Sequence, residues 1–368
     1  MTEPLRILHV VGGLRTGGAE TLLMNLYRNI DREKVQFDFV KTTRTKDPYE
    51  DEILSLGGRI YTRPKLGIKN AFACGKWWKT FFAEHPEYKI AHGHQHSTAP
   101  FYLAYAKKAG AVTIAHSHTN SGGSGLKKLI KNFTRLLLRR RADYFMACSP
   151  EAAEWLFGKD IAKSEKCTIL PNAIDAKRFV FSPEGREKIR RELGLGDGLV
   201  VGHVGRFSRS KNHGFLLETF AEIKKQKSDA KLLLLGEGSL ENEIREKARA
   251  LGITDDVVFG GVHLDLRDYY SAMDVFAFPS VQEGLGIVAV EAQACGLYVV
   301  KSEVVPDAVC ASDLVKTLKL GDGAKKWAHE IVSKDIPHER SNYGKIIDNS
   351  AFGIGRVAQQ LQQFYVNL

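Results

Sequence analysis

The chain has 368 residues, 43% of them apolar, and a formal net charge of +10 at neutral pH. It is long for one domain and long enough for two, each with its own hydrophobic core. The positive charge favours anionic partners such as nucleotides or a membrane surface, whereas nucleic acid is not expected, because no DNA- or RNA-binding motif of recognised spacing occurs.

Five cysteines are scattered along the chain without a C-x-x-C pair. This distribution favours reduced thiols in a cytoplasmic protein over a disulfide framework or a zinc site. The apolar start ILHVV is too short for a signal peptide, and no apolar run approaches the ~20 residues that span a bilayer. We therefore expect a cytoplasmic protein.

Short apolar strands alternate with helical segments through the first half of the chain. RILHVV, at residues 6–11, has the pattern of a buried strand, and TLLMNLYRNI, at residues 21–30, has helical periodicity. The alternation continues through VQFDFV and AVTIAHSH to PNAID at residues 171–175. Such alternation predicts a parallel, doubly wound sheet.

The same pattern starts again in the second half of the chain. LVVGHVGRFSRSKN, at residues 199–212, reads as a buried strand, a glycine turn and the start of a helix. The sequence therefore predicts an α/β protein with a first Rossmann-like domain at residues 1–176 and a second at residues 177–349.

Residues 279–296, PSVQEGLGIVAVEAQACG, form the most informative stretch of the chain. A strand precedes it, a glycine loop opens it, and a helix is predicted to begin near Gly286. A helix start favours anions, because its first N–H groups are unpaired and lie at the positive end of the helix dipole. Glu283 and Glu291 would repel a phosphate, so we expect them to bind neutral hydroxyl groups. A nucleotide sugar combines both chemistries.

This stretch resembles the E-x7-E motif of the family-four retaining glycosyltransferases, which have the GT-B fold. The resemblance implies that Glu283 contacts the donor sugar, that Glu291 holds the ribose, and that Gly284, Leu285 and Gly286 line the donor site. An ordinary strand–helix unit with two surface acids is the alternative.

Gly205 and Arg206, followed by Lys211, match the donor-diphosphate motif G-R-x-x-x-x-K of the same family. Two cations at this place would offset the charge of a leaving diphosphate. No D-x-D metal motif occurs, and the resemblance implies a reaction without metal or cofactor. In such enzymes the acceptor hydroxyl attacks from the face that the diphosphate leaves, and the leaving phosphate takes its proton.

Two further glycine loops match the family pattern. Gly17 and Gly18 follow the first strand and would lie near the donor phosphates, and Gly238 would lie near the nucleotide base. Turns needed only for packing are the alternative for both loops.

Histidines cluster in the first half of the chain, where strand alternation would place several on one face. They are His92, His94, His96, His116 and His118. The resemblance places one histidine toward the donor sugar; position favours His118, with His116 as the alternative. A metal-dependent hydrolase of the amidohydrolase kind, with additional ligands from His203, His213 or His263, is the competing hypothesis.

The resemblance extends over nearly the whole chain and is greatest to bacterial exopolysaccharide glycosyltransferases. It implies a nucleotide-sugar donor, expected to be a UDP-sugar, a saccharide or lipid-linked saccharide acceptor, and a terminal helix, residues 350–368, that packs on the first domain. A GT-B nucleotide-sugar epimerase is a further alternative. Residues 302–307 stand where the family usually has a glycine loop near the donor phosphates. How the donor binds at this loop is therefore not predicted.

Residues 125–141, GLKKLIKNFTRLLLRRR, predict a basic amphipathic helix. The apolar side chains expected to face the core are Leu126, Leu129, Ile130, Phe133, Leu136 and Leu137. The cations expected to contact an anionic membrane are Lys127, Lys128, Lys131, Arg135 and Arg139. This pattern predicts a peripheral enzyme on the inner face of the plasma membrane.

Overall fold

The computed structural model describes residues 3–15, 17–118, 126–334 and 339–368, with only the backbone described at residues 68 and 126–132. The chain divides into two units. The first comprises Met1–Ala173 and Ile354–Leu368, and the second comprises Ile174–Gly353.

The first unit is a parallel sheet with helices on both faces. Its strands are β1 Leu5–Val10, β2 Val35–Lys41, β3 Ile60–Thr62, β4 Ile90–Gly93, β5 Val112–Ser117, β6 Tyr144–Ala147 and β7 Cys167–Ile169. Its helices before the second unit are α1 Gly18–Asn29, α2 Glu50–Ser55, α3 Ala71–Glu84, α4 Ala99–Lys108, α5 Leu126–Arg141, α6 Pro150–Phe157 and α7 Lys159–Ala162. The order of the strands in the sheet is β3-β2-β1-β4-β5-β6-β7.

The second unit repeats this architecture. Its strands are β8 Val200–Val204, β9 Lys231–Leu235, β10 Val257–Gly261, β11 Val275–Phe278, β12 Tyr298–Ser302 and β13 Val315–Leu318, in the parallel order β10-β9-β8-β11-β12-β13. Its helices are α8 Pro183–Glu192, α9 His213–Lys224, α10 Glu241–Ala250, α11 Arg267–Ala272, α12 Ile287–Ala294, α13 Ala324–Ser333 and α14 Tyr343–Asp348. Two Rossmann-like α/β units are thus confirmed.

Alternate side chains of the central strands serve opposite faces of each sheet, as pleated strands require. In β1, Ile7 joins the hydrophobic cluster on one face, and Leu8 joins the cluster on the other. In β11, Phe276 and Ala277 divide between two clusters in the same way. Apolar side chains on both faces are typical of parallel sheets covered on both sides.

The chain's last helix, α15 Ile354–Val366, belongs to the first unit, as the resemblance implied. Its buried face includes Leu361 and Tyr365, which join the cluster that contains Leu22 of α1. Asp31 N also donates to Gln362 Oε1 at 2.8 Å.

The strand orders determine where loops can meet. In the first unit β1 lies between β2 and β4, and in the second β8 lies between β9 and β11. The chain therefore crosses to the other side of the first strand at these positions. In open parallel sheets, such a switch point leaves a crevice beyond the carboxyl ends of the strands, where ligands bind.

Candidate active site

Two loops meet at the switch point of the second unit. One follows β8 and carries Arg206 and Lys211; the other follows β11 and carries Ser280 and Glu283. A backbone hydrogen bond from Val281 N to Ser210 O, at 2.8 Å, joins them. The fold therefore brings together two motifs that lie about seventy residues apart in sequence.

Lys211 and Glu283 form an ion pair at the centre of this contact. Lys211 Nζ lies 2.6 Å from Glu283 Oε1 and 4.8 Å from the centre of the Phe278 ring. Ser280 Oγ donates to the same carboxylate oxygen at 2.7 Å. With side-chain exposures of 16% for Lys211 and 10% for Glu283, both groups are fixed yet reachable by a ligand.

Arg206 lies on the loop after β8 with an exposed side chain. Within the described ranges, its guanidinium makes no hydrogen bond or ion pair with protein groups. It is therefore free to bind two phosphate oxygens at once. Of the two cations at this edge of the sheet, Lys211 is paired with Glu283, whereas Arg206 has no carboxylate partner among the described residues.

The loop after β11 ends at the start of α12. Gly286 has φ +89°, and a Cβ there would lie 2.7 Å from the Phe278 ring, so this position requires glycine. Leu285 is buried in the core, whereas Gly284 is partly exposed. Of the predicted donor-site residues in this loop, Leu285 has an evident packing function and Gly286 an evident conformational one.

Glu291 lies on α12 and is almost fully buried. Its carboxylate accepts a hydrogen bond from Tyr270 Oη at 2.9 Å. Burial raises the pKa of Glu291 to about 7, and the hydrogen bond from Tyr270 and the charge of Arg178 only partly oppose this rise. The carboxyl therefore changes charge near neutral pH.

Gly238, predicted to lie near the base, packs against the loop after β8. A Cβ at this position would lie 2.3 Å from the carbonyl oxygen of Phe207. Phe207 N also donates to Glu237 O at 2.9 Å. Close packing accounts for the glycine without a ligand.

The segment at residues 302–307 is anchored to the loop after β11. Ser302 Oγ donates to Ser280 O at 2.5 Å, and buried Lys301 donates to Val305 O and to Asp307 Oδ1, each at 2.8 Å. The residues that replace the family's glycine loop thus hold Ser280, and through it Glu283.

Gly17 and Gly18 begin α1 at the switch point of the first unit. A Cβ on Gly17 would lie 2.4 Å from Glu20 Oε2, whereas a Cβ on Gly18 would meet nothing within 4 Å. The contact with the flexible Glu20 side chain can therefore explain a glycine at position 17 but not at position 18. The space beside Gly18, at the start of the helix, is open.

The histidines gather at the same switch point, where β1, β4 and β5 end side by side. Both ring nitrogens of His94 make hydrogen bonds: Nε2 lies 3.0 Å from His9 Nδ1, and Nδ1 lies 2.8 Å from His118 Nε2. Burial lowers the pKa of His118 to about 3 and that of His116 well below its usual range. These imidazoles are therefore neutral at physiological pH.

A cavity of about 290 Å³ opens beside the histidines. It is lined by Ala19, His94, His96, Ser97, His118, Thr134, Arg135, Trp155 and Leu156. His118 lines the cavity, whereas His116 lies within β5; the contact of His118 with the donor sugar stays a prediction.

Helix α5 differs from its prediction in two respects. Phe133 and Leu136, expected in the core, are 63% and 48% exposed, and Leu138 is buried instead. Arg135 and Arg139 were predicted to contact an anionic membrane. In the structure Arg135 donates to Leu156 O at 3.3 Å and lies over the Trp155 ring, and Arg139 pairs with Asp160. Contacts with α6 and α7 thus orient the helix and neutralise part of its charge.

Leu137, also expected in the core, is partly buried. The remaining side chains predicted for this helix surface lie outside the described residues: Leu126, Lys127, Lys128, Leu129, Ile130 and Lys131. In the part of the chain that the structure describes, no helix is long and apolar enough to cross a membrane.

Several contacts of the site were not predicted from the sequence. Tyr270 is a buried partner of Glu291, and Tyr365 of α15 meets His92 Nδ1 at 2.6 Å. His9 joins the histidine cluster, because β1 pairs with β4 and aligns His9 with His92. Histidines within the strand patterns RILHVV and KIAHGH were the available signal for His9; nothing local marked either tyrosine.

Comparison with known proteins identifies similar chains. The profile of the family described as "Glycosyltransferase Family 4" matches residues 16–178, and that of "Glycosyl transferases group 1" matches residues 198–333. The chain is 38% identical over 338 residues to "Putative glycosyltransferase EpsF" of Bacillus subtilis, covering 89% of this chain and 86% of that protein.

A more distant relative and a solved structure extend the likeness. Over 177 residues, covering 48% of this chain and 46% of the relative, the chain is 31% identical to N-acetylgalactosamine-N,N'-diacetylbacillosaminyl-diphospho-undecaprenol 4-alpha-N-acetylgalactosaminyltransferase of Campylobacter jejuni. HepE of Anabaena, solved in complex with UDP, superimposes with a TM-score of 0.81 at 19% identity, over 99% of this chain and 100% of HepE. The comparison with HepE concerns the fold alone.

Proposed function

The chain belongs to the glycosyltransferases of group 1 and family 4, and from this membership we propose a retaining, metal-independent transfer of a sugar from a UDP-sugar to a saccharide acceptor. The observation that carries the proposal is the junction of Lys211, Glu283 and exposed Arg206 at the switch point of the second unit.

The geometry suggests how the charges are used. Lys211 and Glu283 neutralise each other in the structure. A bound diphosphate would attract Lys211 and Arg206. Glu283, still held by Ser280, would then accept a hydrogen bond from a hydroxyl of the donor sugar. This exchange places cations on the leaving group and a carboxylate on the sugar, where misplacement by about 1 Å can cost ~100-fold in rate.

The reaction then needs no separate base. The acceptor oxygen forms a bond to the anomeric carbon as the bond from that carbon to the diphosphate breaks. The acceptor proton passes to the leaving phosphate oxygen on the same face, which retains the configuration. His118, neutral at physiological pH, would act as a hydrogen-bonding group.

Three experiments test the transferase. A thermal-shift panel of nucleotide sugars should raise the melting temperature with UDP-sugars, because binding to the folded state stabilises it. NMR analysis of the product should show a retained anomeric configuration. A separate activity assay should show undiminished turnover in excess chelator. Inversion, or activity lost on chelation and restored by metal, would refute the mechanism; donor conversion without acceptor would indicate an epimerase.

The hydrolase hypothesis has less support. Hydrolases of the amidohydrolase kind have a closed βα barrel, whereas the sheet of the first unit is open, with β3 and β7 at its edges. The family shown by the comparisons is also a transferase family.

We further propose a lipid-linked saccharide acceptor, used in exopolysaccharide synthesis at the inner face of the plasma membrane. The name of the Campylobacter jejuni relative motivates the acceptor class, and the resemblance to bacterial exopolysaccharide glycosyltransferases motivates the pathway. Exposed Phe133 and Leu136 on the basic helix α5 supply apolar contacts beside positive charge, which is the composition of membrane-surface helices.

Vesicle co-sedimentation tests the membrane contact. Binding should require anionic lipid, weaken as salt rises, and fall when Phe133 and Leu136 become Ser or when Lys127, Lys128 and Lys131 become Gln. Exposed lysines of the second unit, Lys227 and Lys316, provide the control substitutions to Gln. Equal recovery of the protein on neutral and anionic vesicles would refute the membrane contact and leave the proposed sugar transfer unaffected.

A further inference from the structure

The histidine cluster of the first unit contains two overlapping sets of possible metal ligands. One set is His9, His92 and His94; the other is His94, His116 and His118. Within each set the ligand atoms lie within 4.8 Å of one another. Five imidazoles at the ends of three adjacent strands exceed what sugar binding by one histidine requires.

The second set has hydrogen-bonding capacity that the protein does not use. Among the described residues, neither nitrogen of His116 has a hydrogen-bond partner, and neither has Nδ1 of His118. His116 is only 2% exposed. Because every neutral imidazole keeps one N–H and one lone pair, such a ring leaves buried polar groups unsatisfied, at a cost of about 1–3 kcal/mol each.

We propose that His94, His116 and His118 bind a divalent transition metal of the Zn²⁺ class. Neutral imidazole nitrogen is a preferred ligand of Zn²⁺, Co²⁺ and Ni²⁺, whereas Mg²⁺ and Ca²⁺ prefer oxygen. Neither set contains a carboxylate. A metal would use a lone pair of His116 that the protein leaves unpaired, and it would replace the hydrogen bond between His94 Nδ1 and His118 Nε2.

The surroundings match those of a metal site. His94 Nδ1 and His118 Nε2 are 2.8 Å apart, and binding one ion would widen this separation to about 3.3 Å. His94 Nε2 could then donate to His9 Nδ1, at 3.0 Å, which is the outer contact that ligating histidines usually make. The cavity beside His94 and His118 has room for a water as fourth ligand.

Metal binding would have a consequence for catalysis that rests on the proposed function. A metal that holds His118 removes the imidazole expected to meet the donor sugar. Occupancy therefore inhibits transfer, and the metal-free enzyme is the active form. Binding itself requires no donor, so the two ideas fail separately.

The test uses the full chain, freed of metal with chelator and desalted. Titration with Co²⁺ should give about one ion per chain and the visible absorption of four-coordinate cobalt, and Zn²⁺ should displace it. His116→Gln and His118→Gln should each weaken binding at least ~10-fold. His213→Gln, at a buried histidine of the second unit that pairs with His203, is the matched control and should bind like wild type.

Two outcomes would overturn the site: less than half an ion per chain in the wild type, or equal affinity in wild type and both variants. Circular dichroism checks that the variants fold. If they do not, X-ray absorption of the Zn²⁺-loaded wild type decides, because the site requires scattering from about three imidazoles. A shell of oxygen ligands would refute it.

Discussion

Replacing Glu291 with Gln should stabilise the second unit at alkaline pH while it weakens donor binding. In the fold the pKa of Glu291 rises from 4.5 to about 7 because the carboxyl is buried. At ~1.4 kcal/mol for each pH unit, this rise corresponds to about 3 kcal/mol.

The direction follows from proton linkage. Between pH 4.5 and 7 the unfolded chain has released this proton while the folded protein keeps it. Unfolding therefore becomes easier as pH rises through this window, and the contribution is constant above it. Glutamine keeps the shape and an acceptor for Tyr270 but does not titrate, so the stability difference between Glu291→Gln and wild type should grow by about 3 kcal/mol from pH 4 to pH 8.

Native-state hydrogen exchange of β11 and β12 peptides, corrected for intrinsic rates, measures this difference in the second unit alone. Glu330→Gln is the matched control, since partly exposed Glu330 accepts a hydrogen bond from Tyr298 at 2.6 Å, and its profile should stay parallel to wild type. A Glu291→Gln profile parallel to wild type would refute the burial argument. In the same variant the donor KM should rise and lose its dependence on pH near 7.

Three other predictions concern turnover. Arg206→Ala and Lys211→Ala should each lower kcat by at least ~100-fold, and Arg206→Ala should leave the melting temperature unchanged because that side chain is exposed; near-normal turnover in both variants would contradict the assignment. Glu283→Gln should lower kcat more than Glu291→Gln, since only the first is expected to contact the reacting sugar, and the reverse order in steady-state kinetics would exchange their functions. Ser280→Ala should have a smaller effect on kcat than Glu283→Gln, because Ser280 only positions that carboxylate; an equal loss would indicate direct contact with substrate.

Much of the fold was predictable because its signals are local. Buried strands such as RILHVV, glycine turns and helical periodicity each depend on a few neighbouring residues. Lys211 and Glu283 were assigned to one site through the resemblance to two family motifs, and the strand order brings the ends of β8 and β11 together. Their direct ion pair could not be predicted, since it depends on loop conformation.

The face of α5 could not be predicted for a similar reason. Its apolar residues form one stripe with Leu138 outside it, and periodicity alone does not show whether that stripe meets the core or the solvent. Contacts with Trp155 and Asp160 on neighbouring helices select it instead, bury Leu138 and expose Phe133. Tertiary contacts of this kind leave no mark within the helix sequence itself.

The two switch points are built for different chemistry. In the second unit, the side chains that reach the switch point are the cations Arg206 and Lys211 and the carboxylate of Glu283. In the first unit, burial lowers the pKa values of the clustered histidines, so that edge of the sheet offers neutral donors and acceptors. Under the proposed function, the diphosphate would meet the charged edge of the second unit and hydroxyl groups would meet the neutral edge of the first, whose lone pairs are also those that the proposed metal ion would use.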